Sequence, residues 1–188
     1  MEPWPSFDEF RKHVISFETA KDLTWEGVLS YVKPEMAIPL SKLTLNDLAI
    51  YPGIGLYLFY SIRDELQYVG KCTSRSFIER VPSHFDCRKH AQFATVAKRL
   101  GAENSQTDDI SEISRKALND LKLFLVNFTY DERFWRNGDP PEKEDENKNK
   151  CEAHFVEYIE QSVIYNKKPA LNRQRKEPVH DVRCQLLP

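Results

Sequence analysis

Two short apolar runs lie close together near the middle of the chain, at residues 55–62 and 66–72. Both are rich in aromatic and aliphatic side chains, which is typical of strands, and only a short polar turn at residues 63–65 separates them. The two runs therefore predict an antiparallel β-hairpin. A similar run at residues 121–129 predicts a third strand.

Helical spacing of apolar residues predicts the other elements. A Pro-, Glu- and Lys-rich stretch at residues 137–150 predicts a mobile loop instead. Together these patterns predict an α/β (α+β) fold, with a small three-stranded, mainly antiparallel sheet flanked by helices. The predicted helices cover residues 6–22, 25–32, 77–85, 92–100, 110–119 and 152–165.

The composition limits the class of protein. The chain has 188 residues, of which 40% are hydrophobic, and this is enough for one domain with its own core. Its apolar runs are all well short of the roughly 18 residues of a membrane span. The N-terminal residues are acidic and lack the basic and apolar parts of a secretory signal. Four cysteines in a chain of this length do not make a disulfide scaffold. We therefore expect a cytoplasmic protein that has no membrane partner.

Charge is unevenly distributed along the chain, although the net charge is only −2. Residues 61–100 carry eight Lys/Arg against four Asp/Glu, and residues 165–188 carry six against two, so each block is +4. Residues 101–164 carry eight against fifteen and are net −7. If the two basic blocks meet in the fold, they form one positive face suited to nucleic acid. Ordinary surface charge is the alternative interpretation.

A glycine and a lysine stand together near the end of the second predicted strand, at Gly70 and Lys71. A phosphate-binding P-loop would need glycine at position 65 and Ser or Thr at position 72, where the chain has Glu65 and Cys72. The chain also fails to match the three-glycine fingerprint of a dinucleotide-binding loop, because Leu58 occupies the position where that fingerprint requires its third glycine. The glycine next to a cation therefore needs another explanation.

The two predicted strands carry the triplets Gly55-Leu56-Tyr57 and Tyr68-Val69-Gly70. These resemble the two triplets that give the GIY-YIG nuclease family its name, with leucine and valine in place of the isoleucines. Two loose triplets are not specific, so the residues that follow them in the chain decide how far the resemblance extends.

Five later residues extend it in the order and spacing of the family. Lys71 follows the second triplet directly, and Arg80 and His84 have the i,i+4 spacing that puts both on one face of the next helix. Glu160 stands nine residues before a proline, and Asn172 stands three residues after that proline. Taken together, these positions are specific.

The resemblance implies a metal-dependent endonuclease that hydrolyses phosphodiester bonds in DNA and binds Mg²⁺ or Mn²⁺ through Glu160. A site-specific, restriction-type enzyme is the first expectation, and a repair or structure-specific nuclease is the alternative. One active site cuts one strand, so breaking both strands would take a homodimer or two successive events. The predicted catalytic residues are Tyr57, Tyr68, Lys71, Arg80, His84 and Glu160, and the predicted substrate contacts are Arg75, Asn172 and Arg173.

The chemistry of phosphodiester hydrolysis requires the same residue types. Tyrosine is a poor base at its reference pKa of about 10, so it needs a nearby cation, for which Lys71 is a candidate. The planar guanidinium of Arg80 can donate two bonds to phosphate oxygens. Glu160 offers a hard oxygen ligand suited to one Mg²⁺. Either tyrosine could act as the base, and Tyr57 is slightly favoured over Tyr68.

Each of these residues also has a structural interpretation. The tyrosines fit ordinary core positions on strands, and Asn172 fits the role of tying a loop. Glu157, one turn before Glu160, competes with it as the metal ligand. A nucleic-acid-binding protein on a disabled nuclease scaffold is a further alternative, although every catalytic position holds a competent residue.

A zinc-stabilised module is the last alternative. It would combine His84 with Cys72, Cys87 and His90, although these residues lack the paired spacing of known zinc sites.

The resemblance to the nuclease family covers residues 53–172, and it divides the chain into three parts. We predict an N-terminal helical extension at 1–52, a GIY-YIG-like nuclease domain at 53–176 with an insertion around 86–150, and a C-terminal tail at 177–188.

Overall fold

The computed structural model of the chain describes residues 15, 17–20, 22–49, 55–73, 75–86, 95–103, 109–128 and 143–178. Two short 3₁₀ turns, Pro34–Met36 and Leu40–Lys42, flank the first strand. The helices are α1 (Phe17–Ala20), α2 (Trp25–Leu29), α3 (Leu45–Ala49), α4 (Phe77–Ser83), α5 (Thr95–Glu103), α6 (Ile110–Asp120) and α7 (Lys143–Lys167). The strands are β1 (Ile38–Pro39), β2 (Gly55–Ser61), β3 (Leu66–Cys72) and β4 (Leu121–Asn127).

The fold is mixed α/β with an antiparallel sheet of four strands, in the order β1-β4-β2-β3. The predicted hairpin is present as β2 and β3, and the predicted third strand is present as β4. The prediction of three strands was wrong, because Ile38 and Pro39 pair with Leu123 and Lys122 at the far edge. Strand β3 forms the opposite edge of the sheet, and this position matters for the site.

Side chains that alternate along β2 build two cores, one on each face of the sheet. Leu56 and Leu58 lie in a core with α2 and the C-terminal half of α7. Tyr57 and Phe59 lie in the other core, with α4, α5 and α6. Each large apolar side chain buried in this way contributes about 1.5–3 kcal/mol. The sheet is therefore covered on both faces, which explains why all but the last residue of β2 are buried.

Helix α7 begins earlier than the sequence pattern predicted. The stretch 137–150 was expected to be a mobile loop, but the chain is helical from Lys143 onward. Residues 143–150 are mostly Lys, Glu, Asp and Asn without Gly or Pro, and Lys and Glu are good helix formers. A charged composition was therefore misread as a loop signal.

The segments outside the hairpin also belong to this core. The backbone N–H of Ile15 donates to the carbonyl of Asn127 at 3.0 Å, and Val28 is fully buried against the sheet. The predicted insertion at 86–150 contains β4, which pairs with β2 along its whole length. In the described part of the chain, no helix is long and apolar enough to cross a membrane.

Candidate active site

The ring of Tyr57 lies across Gly70, its register partner on β3. A Cβ atom at position 70 would stand 2.5 Å from Tyr57 Cε2 and still closer to the phenolic end of the ring. No side chain fits there, so glycine is needed for the close approach of the ring. This explains the glycine that precedes Lys71 near the end of an otherwise apolar strand.

Tyr57 is hydrogen-bonded to His84, with 2.7 Å between the phenolic Oη and Nε2. Both side chains are buried. The ring of Tyr68 completes the group, with its centroid 5.0 Å from that of His84 and 6.1 Å from that of Tyr57. These three aromatic side chains, called here the aromatic cluster, lie on the α4 face of the sheet.

Helix α4 positions His84 and Arg80. A capping box begins the helix: Glu79 accepts hydrogen bonds from the backbone N–H and the hydroxyl of Ser76, both at 2.9 Å. Phe77 and Val81, one turn apart, are buried against the sheet. His84 follows as the C-cap residue, with its backbone N–H bonded to the helix. The cap and the apolar side therefore fix the rotation of α4 and aim His84 at Tyr57.

Burial dominates the protonation of the aromatic cluster. It raises the pKa of Tyr57 well above its ordinary value, and the neighbouring Tyr68 raises it further. Burial and the Glu160 carboxylate raise the pKa of Tyr68. Burial lowers the pKa of His84 to about 3, and the positive charges of Arg80 and Arg99 act in the same direction. At neutral pH both phenols and the imidazole are therefore uncharged.

Arg80 is the cation that acts on both tyrosines, because its charge lowers the pKa of Tyr57 and of Tyr68. The sequence pattern predicts Lys71 as the cation near the tyrosines. Lys71 stands three residues after Tyr68, and an odd separation along a strand places two side chains on opposite faces. Lys71 accordingly lies on the α7 face of the sheet, away from the aromatic cluster.

On that face Lys71 meets two carboxylates of α7. Its Nζ is 2.8 Å from Glu157 Oε1 and 3.9 Å from Glu160 Oε2. The Glu157 carboxylate also accepts a hydrogen bond from Gln161 Nε2 at 3.1 Å. Contact with Lys71 lowers the pKa of Glu157. These three charged residues, Lys71, Glu157 and Glu160, are called here the charged triad.

Glu160 links the charged triad to the aromatic cluster. It is buried, and burial raises the pKa of its carboxyl to about 7, although Lys71 and Arg175 act in the opposite direction. Its charge also acts on both tyrosines, and Arg80 acts on it. Helices α4 and α7 pack on opposite faces of the sheet, and β3, which carries both Tyr68 and Lys71, is its edge strand. The candidate site therefore straddles β3.

Asn172 ties the segment after α7 to this edge strand. Its side-chain Oδ1 accepts from the backbone N–H of Val69, and its Nδ2 donates to the Val69 carbonyl, both at 2.8 Å. The backbone N–H of Leu171 donates to the carbonyl of Gln67 at 2.9 Å. Both ends of the amide are thus engaged with β3. This fits the loop-tying role that the sequence left open.

The other two predicted substrate contacts are exposed. Arg75 acts on Glu79, the capping residue of α4, and contributes to the lowered pKa of that carboxyl. Arg173 lies in the extended segment that follows Asn172.

Two arginines that are not among the predicted site residues affect the pKa values of site residues through their charge. Arg99 of α5 donates to the carbonyl of Leu171, and its charge lowers the pKa of both Tyr68 and His84. Arg175, in the extended segment after α7, lowers the pKa of Glu160. Both belong to the basic blocks of the sequence, so the charge pattern pointed to their regions but not to these positions.

The donor set decides which metal the residues could hold. Among the described residues, no group of three His, Cys, Asp or Glu side chains comes together. Cys72 is buried, which raises the pKa of its thiol to about 12, and Cys87 and His90 of the zinc hypothesis lie outside the described residues. A single buried carboxylate such as that of Glu160 suits Mg²⁺, which keeps several waters and shares substrate oxygens.

Comparison of the chain with protein-family models, with curated proteins and with solved structures found no match.

Proposed function

We propose that this protein is a metal-dependent endonuclease that hydrolyses phosphodiester bonds in DNA on a GIY-YIG-like domain. One observation carries the proposal. The six residues that the resemblance assigns to catalysis come from β2, β3, α4 and its C-cap, and α7, and contacts within each half and charge effects between the halves connect them: Tyr57 and Tyr68 contact His84, Lys71 lies 3.9 Å from Glu160, and the charges of Arg80 and Glu160 act on both tyrosines. The residues are Tyr57, Tyr68, Lys71, Arg80, His84 and Glu160.

Arg80 is suited to hold the scissile phosphate. Its charge acts on both tyrosines, His84 and Glu160, so it influences both halves of the site. A guanidinium keeps its charge in a partly buried place and binds two phosphate oxygens at once. The extra negative charge that develops on phosphorus during hydrolysis would be stabilised there.

Tyr57 and His84 form the proton-transfer pair of the proposal. The phenol is too weak an acid to act as a base unaided, because burial raises its pKa well above the ordinary value. His84 is uncharged, and its Nε2 stands 2.7 Å from the phenolic oxygen. In this proposal the short contact lets Tyr57 pass its proton to the imidazole while its oxygen accepts a proton from the attacking water, and because the pKa of His84 is only about 3, the imidazole needs a compensating negative charge to hold that proton. A phosphate anion in the site favours this transfer, because its charge stabilises the imidazolium.

Glu160 would hold the metal ion, with Mg²⁺ or Mn²⁺ as the candidates. Such an ion supplies charge stabilisation to the phosphoryl and leaving oxygens when it is bound. The buried carboxyl fits this purpose: burial raises its pKa to about 7 against the opposing charges of Lys71 and Arg175, and a bound metal cation would favour the ionised form further. The Glu157 carboxylate is less suited to the metal, because Lys71 already neutralises it at 2.8 Å.

A restriction-type, site-specific enzyme is the favoured form of this activity, with a repair or structure-specific nuclease as the alternative. A test is to incubate supercoiled plasmid DNA with the protein in Mg²⁺, in Mn²⁺ and in EDTA, and to sequence the ends that form. We expect cleavage only with the divalent ions, and ends at one recurrent sequence. Ends at nicks or junctions would favour the alternative form. DNA binding without any cleavage would contradict the proposal and favour a disabled scaffold.

A further inference from the structure

Resting on the proposed function, we propose that Glu157 is a positioning residue that holds Lys71 while the site is empty and releases it to a phosphate of the DNA. The charged triad supplies the geometry. The Lys71 ammonium is 2.8 Å from Glu157 and 3.9 Å from Glu160. Without substrate, the lysine therefore pairs with the residue that is not expected to bind metal.

Exposure makes this pair easy to open. The Glu157 side chain is 45% exposed, the Lys71 side chain is 22% exposed and the Glu160 side chain is 10% exposed. An ion pair with one half-exposed member is stabilised only weakly: the attraction shifts the equilibrium between the paired and the separated side chains by no more than about fivefold. A phosphate that arrives at this edge can therefore displace Glu157 from the ammonium at small cost.

The two ends of the pair differ in how firmly they are held. Lys71 extends from β3, whose backbone is fixed two residues earlier, at Val69, by both the oxygen and the nitrogen of the Asn172 side-chain amide. Glu157 is held by one hydrogen bond from Gln161, a neighbour on the same helix. When the pair opens, the lysine stays at the site beside Glu160, and the glutamate can turn toward solvent.

A double-mutant cycle tests this competition without any chemistry. The affinity for a short fluorescent DNA duplex is measured in EDTA for the parent, Glu157→Gln, Lys71→Met and the double variant. We expect Glu157→Gln to tighten binding about two- to fivefold, and to make its salt dependence steeper, because Lys71 becomes available to phosphate. In the Lys71→Met background the gain should be clearly smaller. Glu112→Gln, an exposed glutamate on α6, serves as the control and should change little.

Three results would overturn the inference. If Glu157→Gln weakens binding, the glutamate orients Lys71 in the complex instead of competing for it. If the gain is equal with and without Lys71, only general repulsion between Glu157 and DNA has been removed. If the parent neither binds nor cuts DNA, the proposed function fails together with this inference. A parent that binds and cuts DNA, with no coupling between the two positions, contradicts this inference alone.

Discussion

The phenolic end of Tyr57 passes close over Gly70 and is hydrogen-bonded to His84. The absence of a side chain at position 70 of β3 therefore lets a tyrosine of β2 meet the histidine that caps α4. The missing side chain of Gly70 leaves the room that the Tyr57 ring occupies. The first prediction follows from this relationship.

Gly70→Ala should disturb the aromatic cluster. The added methyl group would stand 2.5 Å or less from ring atoms of Tyr57, so the ring must move and its hydrogen bond to His84 must lengthen or break. We expect a loss of about 1–3 kcal/mol in the free energy of unfolding, measured by denaturant titration, together with a loss of cleavage. Gly27→Ala adds the same methyl group in α2, with Leu23 Cβ at 3.2 Å, and better helix propensity offsets that contact. Equal stability for the two variants would contradict this account of Gly70.

The phenolic hydroxyl of Tyr57 should matter for catalysis. Tyr57→Phe keeps the ring but removes the oxygen that is bonded to His84. No proton can then pass from residue 57 to the imidazole. We expect the cleavage rate to fall by about 10²–10⁴ in a single-turnover assay. Tyr60→Phe is the matched control, because Tyr60 is buried on the same strand but on the opposite face. If Tyr57→Phe cuts as fast as Tyr60→Phe, Tyr57 is a core residue and Tyr68 becomes the candidate base.

Acid should destabilise the protein through His84. Burial lowers the pKa of this imidazole in the folded chain to about 3, against an ordinary value of 6.5. Between these values the unfolded chain binds a proton at His84 that the folded chain does not, so the contribution of His84 to stability falls as pH drops below about 6.5, while Glu160, whose pKa is raised to about 7, contributes in the opposite direction. The expected loss from His84 at pH 5 is about 2 kcal/mol.

His84→Gln isolates that loss. Glutamine cannot titrate, and its side-chain oxygen can still accept a hydrogen bond from Tyr57. The free energy of unfolding is measured for the parent and the variant at pH 7 and pH 5. The fall between the two pH values should be smaller in the variant by about 2 kcal/mol. An identical fall in both proteins would mean that the imidazole is not kept neutral in the fold.

Arg175 should contribute to DNA affinity through its charge. Its charge acts on Glu160 at the charged triad, so we expect it to act on a phosphate bound there as well. Arg175→Gln should weaken binding of any DNA sequence, and should reduce the slope of log affinity against log salt by about 0.9. Arg115→Gln, an exposed arginine on α6, should leave the slope unchanged. Equal slopes for both variants would place the DNA elsewhere.

Local patterns predicted much of the fold because the hairpin, β4 and the helices each carry their own periodicity. Strand β1 could not be predicted in this way, since two residues have no period and become a strand only by pairing with Leu123 and Lys122. The start of α7 at Lys143 was missed because a charged helix and a charged loop have similar compositions.

For the candidate site, sequence order predicted a set of residues but not the contacts that each of them makes. Strand alternation could have shown that Lys71 and Tyr68 lie on opposite faces. The pairing of Lys71 with Glu157, and the approach of Arg99 to the aromatic cluster, depend on how helices pack on the sheet. No spacing within the sequence contains that information.

The most direct measurement of the central claim is the rate of plasmid nicking by Glu160→Gln in Mg²⁺, compared with the parent and with Glu112→Gln. Glu157→Gln is not a neutral control, because that residue pairs with Lys71. The account predicts that Glu160→Gln lowers the rate by about three orders of magnitude, since the metal ion supplies several kcal/mol of transition-state stabilisation. DNA affinity should stay the same or rise, because a negative charge near the phosphates is gone, and Glu112→Gln should nick at the parent rate. A Glu160→Gln variant that is folded, binds DNA and nicks at the parent rate would contradict a metal-dependent nuclease site at this residue.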